Sequence, residues 1–183
     1  SSIGTATTDG SGNFSVTPSS ALAEGSYSLT VTATDAATNV SATSGAVSIT
    51  VDTTNPGQPT ISTGTTTTNN TTPTISGTAE ANSTINLISN GSSIGTATTD
   101  GSGNFSVTPS ELAEGSYSLT VTATDAANNV SDSSNAVSIT VDTTAPGKPT
   151  ISTSDTTTSD TTPTIEGTAE AGSTVKLFSG SSE

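Results

Sequence analysis

Apolar and small polar residues alternate strictly along two stretches of the chain. Between Tyr117 and Thr124 every second residue is apolar and the others are Ser or Thr, and Val137 to Val141 follows the same pattern. Such alternation, with β-branched Thr on the polar side, is typical of half-buried β-strands. Roughly two-fifths of the residues are Ser or Thr, a composition that also occurs in disordered stalks. The alternation instead predicts a folded, all-β chain.

The sequence repeats itself with a period of about 90 residues. Residues 1–19 are identical to residues 92–110, and residues 24–37 are identical to residues 114–127. The offset is 91 for the first pair (92 minus 1) and 90 for the second (114 minus 24). A unit of this length is large enough to bury a core of its own, so the period predicts tandem domains and not short solenoid units.

Two Pro-containing junctions, DTTNP at 52–56 and DTTAP at 142–146, divide the chain into three parts. Residues 57–146 form one complete repeat. Residues 1–56 correspond to the last two-thirds of a preceding repeat, and residues 147–183 to the first third of a following one. Each of the two partial repeats lacks what the other has. We therefore expect partial repeats from neighbouring molecules to complete one repeat by strand exchange. Neighbouring repeats of the same chain are the other expected partners.

The complete repeat contains seven segments with strand character. Asn90-Gly91 and Asp100-Gly101 separate three of them and are typical of tight turns that need a positive φ. Seven short strands in about 90 residues predict an immunoglobulin-like sandwich of two sheets. The predicted strands are 60–62, 74–79, 84–88, 94–98, 104–108, 116–124 and 136–141. The predicted core is Ile61, Ile75, Ile85, Leu87, Ile94, Phe105, Val107, Leu112, Tyr117, Leu119, Val121, Val137, Ile139 and Val141.

Composition and charge narrow the possible functions. The net charge of -14, with two Lys and no Arg, argues against nucleic acid and anionic membrane surfaces. No apolar run approaches the roughly 18 residues that insert across a bilayer. The absence of Cys excludes disulfides and structural thiolate zinc sites.

The chain tracing predicts a cluster of oxygen ligands at one end of the sandwich. The junction at residues 52–56 is the linker that enters the complete repeat. If the first strand runs away from this incoming linker, the loops after the second, fourth and sixth strands return to it. Like charges about 4 Å apart repel by on the order of 1 kcal/mol in water, and the chain has few cations to offset this. Ca²⁺ accepts six to eight oxygen ligands from flexible loops, whereas Mg²⁺ demands tight octahedral geometry. We therefore expect a calcium-clamped junction. Its ligands would come from Asp52, Glu80, Asp100, Asp125 and Asn129.

Local roles for the same residues remain open. Asp100 in DGSGN is also a turn residue, and Asp125 and Asn129 can hydrogen-bond their own loop. Asp52 and Asp142 can be solvated charges at strand ends. Glu24, Glu111 and Glu114 fall at the opposite pole and are interpreted as solvated surface.

Four phrases in order carry a family resemblance: IGTATTDGSGNFSVTPS, SYSLTVTATDAANNVS, VDTTAPGKPTI and TTPTIEGTAEAGSTVKLF. They resemble the bacterial Ig-like repeats of large secreted adhesins and biofilm-associated proteins, and the resemblance covers the whole chain. It implies rod-like stalks outside the cell, at the bacterial surface, with calcium stiffening the joints.

The resemblance also implies metal roles for the acidic motifs. These are Asp52 and Asp142 in VDTT, Glu80 and Glu170 in GTAEA, and Asp35 and Asp125 in TATDAA with Asn39 and Asn129 after them. Asp9, the copy of Asp100, completes the candidate ligands. Thr38 and Asn128 stand where the family often has Gly, which makes a positive φ harder to adopt in those loops.

These observations favour a structural spacer. A module that binds a glycan or a host protein is the alternative, although binding faces normally carry exposed aromatics or Arg, which are scarce here. Enzymatic activity is the least favoured. Paired carboxylates can hydrolyse glycosides, but these acidic positions recur in each copy without His or Cys.

Overall fold

A computed structural model describes residues 1–180. Within that range all the regular secondary structure is β, as the alternation predicted. The strands are β1 Gly25–Leu29, β2 Val47–Val51, β3 Thr60–Ile61, β4 Thr66–Thr68, β5 Ile75–Thr78, β6 Thr84–Ser89, β7 Ser92–Thr98, β8 Asn104–Val107, β9 Gly115–Thr124, β10 Val137–Val141, β11 Thr150–Ile151 and β12 Gly167–Thr168.

Residues 57–146 contain two sheets. One has the order β4-β10-β9-β6-β7 and the other has the order β3-β5-β8. All strand pairs are antiparallel except β4 with β10, which is parallel. This confirms the predicted immunoglobulin-like sandwich, and each of the seven predicted strands is present.

The short strand β4 was not predicted from the sequence. Thr66 to Thr68 lie in an unbroken run of Thr, which has no alternation of apolar and polar residues. The strand exists because its backbone pairs with β10, where Thr66 lies opposite Ile139. A tertiary partner therefore decides its conformation.

The predicted core lies between the two sheets. From Leu119 onward in β9, and throughout β10, every second side chain is buried, and the intervening Ser and Thr side chains face outward. Ile61, Ile94 and Tyr117 are half-buried and pack against the core, and Ala123 joins it. The buried apolar residues are Ile75, Ile85, Leu87, Phe105, Val107, Leu112, Leu119, Val121, Ala123, Val137, Ile139 and Val141.

Gly77 allows the small sheet to form. It lies opposite Phe105 in the pairing of β5 with β8. A Cβ atom at this position would overlap the Thr60 carbonyl oxygen and the Phe105 ring. The glycine of the GTAEA phrase is therefore required by packing.

The two predicted turns differ from each other. Asn90 and Gly91 both have positive φ (50° and 77°), as predicted for the hairpin between β6 and β7. In the second turn the positive φ falls on Gly103 (82°) and not on Gly101. The reason is that the Asp100 side chain accepts the N–H groups of Ser102 and Asn104 and so closes a longer loop.

Candidate functional site

Three loops of the complete repeat lie at one pole, as the tracing predicted. Thr84 at the start of β6 pairs with Thr98 at the end of β7 and with Thr124 at the end of β9. The loops adjoining these residues carry Glu80, Asp100 and Asp125. The pole that receives the incoming linker is therefore rich in acidic residues.

The Asp125 side chain is fixed within its own loop. Its Oδ1 accepts N–H groups from Ala127 (2.8 Å) and Asn129 (2.9 Å), and its Oδ2 accepts the side-chain amide of Asn129 (2.8 Å). The amide of Asn129 lowers the pKa of the Asp125 carboxyl group, because a hydrogen-bond donor favours the ionised form. The loop therefore holds its own carboxylate ionised.

The corresponding loop in residues 1–56 has the same geometry. Asp35 accepts the N–H and the side-chain amide of Asn39, and these contacts lower its pKa. Thr38 and Asn128 both adopt positive φ (69° and 70°), so the missing glycine does not prevent this loop conformation. The capping hydrogen bonds support a backbone conformation that Thr rarely adopts.

Asn129 also contacts the linker. Its side-chain amide donates to the backbone carbonyl of Asp52 (3.1 Å). Nearby, the side-chain amide of Gln58 donates to the backbone carbonyl of Ser133 (2.6 Å). The sequence reasoning missed Gln58 and Ser133, since neither is acidic and no spacing marks the pair.

The other end of the same linker segment is held by Glu24. The carboxylate of Glu24 accepts the hydroxyl groups of Thr53 (3.1 Å) and Thr54 (2.8 Å). The Asp52 carboxylate accepts the N–H of Thr54 (3.0 Å), which closes the turn. Residues 52–54 are thus bound both by the preceding partial repeat and by the loop of the complete repeat.

The second junction repeats the Glu contact. Glu114 accepts the hydroxyl groups of Thr143 (2.9 Å) and Thr144 (2.7 Å) and the N–H of Thr143. The hydroxyl groups of Thr144 and Thr143 are the main causes of a lowered pKa at Glu114. Asp142 accepts the N–H of Thr144 (3.1 Å).

Glu24 and Glu114 lie at the surface, as expected, but the sequence did not predict their contacts with the linker. Both are exposed, but each accepts hydrogen bonds from the linker that leaves its own repeat. In both copies a Glu lies about 30 residues before the second Thr of DTT. This recurrence is a signal in the sequence that could have predicted the contact. Glu111 is exposed, as expected.

The remaining candidate ligands make local contacts. Asp100 accepts the N–H groups of Ser102 and Asn104 and the Asn104 side-chain amide, which lower its pKa. Asp9 accepts the equivalent groups of Ser11 and Asn13. The backbone carbonyl of Glu80 accepts the hydroxyl groups of Ser83 and Thr99, and that of Glu170 accepts the hydroxyl of Ser173.

Among residues 1–180, no group of three or more acidic, His or Cys side chains is arranged to hold a metal ion. The carboxylates of Asp100 and Asp125 face N–H donors, whereas calcium requires converging oxygen acceptors. The shared pole is thus observed, and calcium binding stays a prediction.

Comparison with known proteins places this sandwich in a family. The model of the bacterial Ig-like domain matches residues 1–53 and 58–143. The chain belongs to the bacterial Ig-like domain family. No curated protein gave a match.

Two solved structures are similar in part. The fibronectin(III)-like modules of Clostridium thermocellum CbhA share 17% identity over 70% of this chain and 67% of that chain, with a TM-score of 0.46. The BSP domain of a biofilm associated protein shares 22% identity over 78% of this chain, with a TM-score of 0.39. The match covers only 23% of the length of that second chain. Both TM-scores are low, so the family assignment rests on the family model.

Within residues 1–180, no helix has the length and apolar character needed to cross a bilayer.

Proposed function

We propose that these repeats are stalk modules of a bacterial surface adhesin, which act as spacers between the cell and a distant binding region. The observation that carries the proposal is the segment Asp52 to Thr54, which is hydrogen-bonded from both sides. Glu24 of the preceding partial repeat binds its Thr hydroxyl groups, and Asn129 of the complete repeat binds its carbonyl group. A linker held at both ends restricts the rotation of one repeat against the next.

The arrangement of the strands supports an extended rod. β9 has ten residues and runs from one pole to the other, which corresponds to about 33 Å at 3.3 Å per residue. The incoming linker meets the complete repeat beside Asn129, and the outgoing linker leaves after β10 at the opposite pole. Each repeat therefore adds its full length, roughly 40 Å with its linker.

A catalytic role is not part of the proposal. The chain has no His and no Cys, and its acidic side chains at the shared pole accept hydrogen bonds from their own loops. The Ser–His and Cys–His pairs of nucleophile and base require a His, which this chain lacks.

Calcium at the junction is a separate part of the proposal. The charge of -14 and the contact of Asn129 with Asp52, beside Asp125, support it. Asp125 would have to exchange its amide donor for the ion, because its Oδ2 accepts a hydrogen bond from the side-chain amide of Asn129. The rod proposal does not depend on this exchange, since the hydrogen bonds that Thr53 and Thr54 donate to Glu24 involve no ion.

A ligand-binding module is the alternative function. Binding faces typically present exposed aromatic anchors. In the complete repeat Phe105 is buried, and Tyr117 is half-buried with its hydroxyl group donating to the carbonyl of Ala113 (2.9 Å). The aromatic side chains of the complete repeat thus serve its packing, which favours the spacer.

The spacer proposal is tested by the distance between two equivalent positions. Ser28 and Ser118 occupy the same place in successive repeats and are both exposed, and the chain has no native Cys. Spin labels on the Ser28→Cys, Ser118→Cys double variant should give one narrow distance distribution by pulsed electron paramagnetic resonance. The sample is diluted with unlabelled protein so that only distances within one molecule are read. A broad distribution, as for a flexible linker, would contradict a stiff stalk.

A further inference from the structure

The short strand β4 and the last strand of the complete repeat, β10, lie side by side in parallel. Thr66 lies opposite Ile139, and Thr68 lies opposite Val141. Directly after β10, the N–H of Asp142 donates to the backbone carbonyl of Thr68 (2.9 Å). We call β4 and β10 the shear pair. It connects the part of the repeat that follows the incoming linker to the strand that precedes the outgoing linker.

The two strands of the shear pair run in the same direction, from the pole of the incoming linker to the opposite pole. The incoming linker contacts Asn129, in the loop after β9. β10 is antiparallel to β9, and Val141 at its end lies opposite Gly115, where β9 begins. Tension applied through the two linkers therefore pulls β4 toward the incoming linker and β10 toward the outgoing one. The strands are pulled past each other along their length.

This direction of pull strains all the hydrogen bonds of the shear pair together. Backbone hydrogen bonds of a sheet lie across the strands, so sliding one strand past its neighbour strains every bond at once. Strands that are pulled apart from one end separate one bond at a time, and each bond by itself contributes little. The same bonds therefore resist a pull along the strands much better than a pull across them.

The tension reaches β3 before it reaches the shear pair. β3 pairs with β5 over two residues, Thr60 and Ile61, and Ile61 is half-buried. β10 buries three side chains, those of Val137, Ile139 and Val141. Loss of β3 leaves the sheet of β10 intact, whereas separation of the shear pair frees β10 and opens the core to water. The shear pair is therefore the contact that decides whether the repeat unfolds under tension.

The sequences of both strands recur in the neighbouring repeats. The VSITV of β10 is also the sequence of Val47–Val51, and the TTT of β4 recurs at 156–158. The side chains of Thr66 and Thr67 are exposed, so β4 adds little to the core. Thr has a high strand propensity. A run of Thr without apolar alternation therefore suits a strand whose contribution is backbone pairing.

We propose that the shear pair lets each repeat carry tension between its two linkers without unfolding. The proposal rests on the spacer function only for the direction of the tension, since a stalk between a cell and a bound surface is stretched from its two ends. The pairing itself is a property of the fold. It involves no ion, and neither strand includes Glu24 or Asn129.

The test compares two directions of pulling on the full chain with optical tweezers. Handles are attached through introduced Cys residues, because the chain has no native Cys. The Asn55→Cys, Ala145→Cys double variant carries handles at equivalent, exposed places in the two linkers and loads the shear pair along its length. The Asn69→Cys, Ala145→Cys double variant carries both handles at the pole where β4 and β10 end, so it separates the strands from that end.

The unfolding force should be several-fold higher in the first double variant than in the second. Both should melt at the same temperature, because the same hydrogen bonds are present in each. Equal forces in the two directions, or a lower force along the strands, would overturn the proposal.

Proline substitutions in β4 test the hydrogen bonds themselves. The Thr68 carbonyl accepts a bond from Asp142, so the N–H of Thr68, on the same side of the strand, also faces β10, and the N–H of Thr67 faces away. Thr68→Pro removes a donor from the ladder. Thr67→Pro is the matched control, because β4 is an edge strand and Pro is tolerated where the N–H of an edge strand faces solvent.

With handles in the two linkers, the Thr68→Pro variant should unfold at a lower force and the Thr67→Pro variant at the wild-type force. Equal forces in the two Pro variants would count against the shear pair and overturn the proposal. If Thr68→Pro does not fold, the comparison of the two pulling directions decides alone.

These outcomes are separate from the test of the spacer proposal. A repeat that yields at the same low force in both directions would overturn the shear pair and leave the distance distribution between Ser28 and Ser118 unchanged. A broad distance distribution would contradict the stiff stalk and leave the ratio of the two unfolding forces unchanged.

Discussion

The side-chain amide of Asn129 donates a hydrogen bond to the backbone carbonyl of Asp52, 77 residues earlier in the chain. The same Asn129 amide binds the Asp125 carboxylate, so one side chain connects a loop of the complete repeat to the linker that precedes it. Asn39 makes the equivalent bond to Asp35 in the preceding repeat. Asn39 makes the loop contact, whereas Asn129 makes the loop contact and the linker contact. Substitutions at these two residues can therefore distinguish the role of the loop from the role of the junction.

Asn129→Ala should loosen the junction and leave the fold intact. Loss of the amide removes the contact with Asp52, so the distance distribution between labels at Ser28 and Ser118 should broaden. Asn39→Ala is the control, because it removes the same loop contact without a contact to Asp52. Equal distributions in both variants would show that the Asn129 contact does not orient the repeats.

Glu24→Ala should also broaden that distribution. The substitution removes the acceptor for the hydroxyl groups of Thr53 and Thr54, so the linker can rotate at its other end. Glu111→Ala removes the same charge from an exposed position and should have no effect. The melting temperature of the complete repeat should be the same in both variants, and an unchanged distribution in Glu24→Ala would disprove the clamp.

Calcium should raise the melting temperature of the complete repeat, and EDTA should reverse the increase. With free calcium at tens of times Kd, the stabilisation would be about 2 kcal/mol. Asp125→Asn should abolish the response, whereas Asp35→Asn, in the partial repeat, should preserve it. Identical melting in calcium and EDTA, with no heat of binding by calorimetry, would leave the hydrogen bonds as the sole junction contacts.

Asn128→Thr should destabilise the complete repeat by about 1 kcal/mol. Asn128 has φ 70°, a region that Asn tolerates and a β-branched residue enters at a cost. For a domain of this size the melting temperature should fall by roughly 4–8 °C. Asn128→Gly should cause no such loss, and equal melting of the Thr and Gly variants would contradict the strain argument.

The complete repeat should lose stability in acid partly through Glu114. The hydroxyl groups of Thr144 and Thr143 lower the pKa of this carboxyl group below its ordinary value of 4.5. Its contribution is therefore present above that value and is lost as the pH falls through the lower pKa of the folded state. Denaturant titrations at about pH 7 and about pH 3 should show a smaller loss for Glu114→Gln than for the wild type. Lowered pKa values at Asp100 and Asp125 would leave the variant some acid sensitivity.

The fold was predictable because its information is local and repeated. Alternation in β9 and β10 marks which side chains are buried, and the turn at Asn90-Gly91 marks the hairpin between β6 and β7. Each of these signals lies within one strand or one turn, so neighbouring residues suffice to express it.

The amino-acid sequence by itself determined the repeat period, the all-β class, the core and the pole to which the acidic loops return. Only the tertiary structure decided the pairing of β4 with β10, the contact of Asn129 with Asp52 and the role of Glu24. These depend on groups that are distant in sequence, and a hydrogen bond requires a separation of about 3 Å in the folded chain. Hydrophobic burial follows from a pattern of residue types, whereas the partner of a carboxylate follows from where the backbone places it.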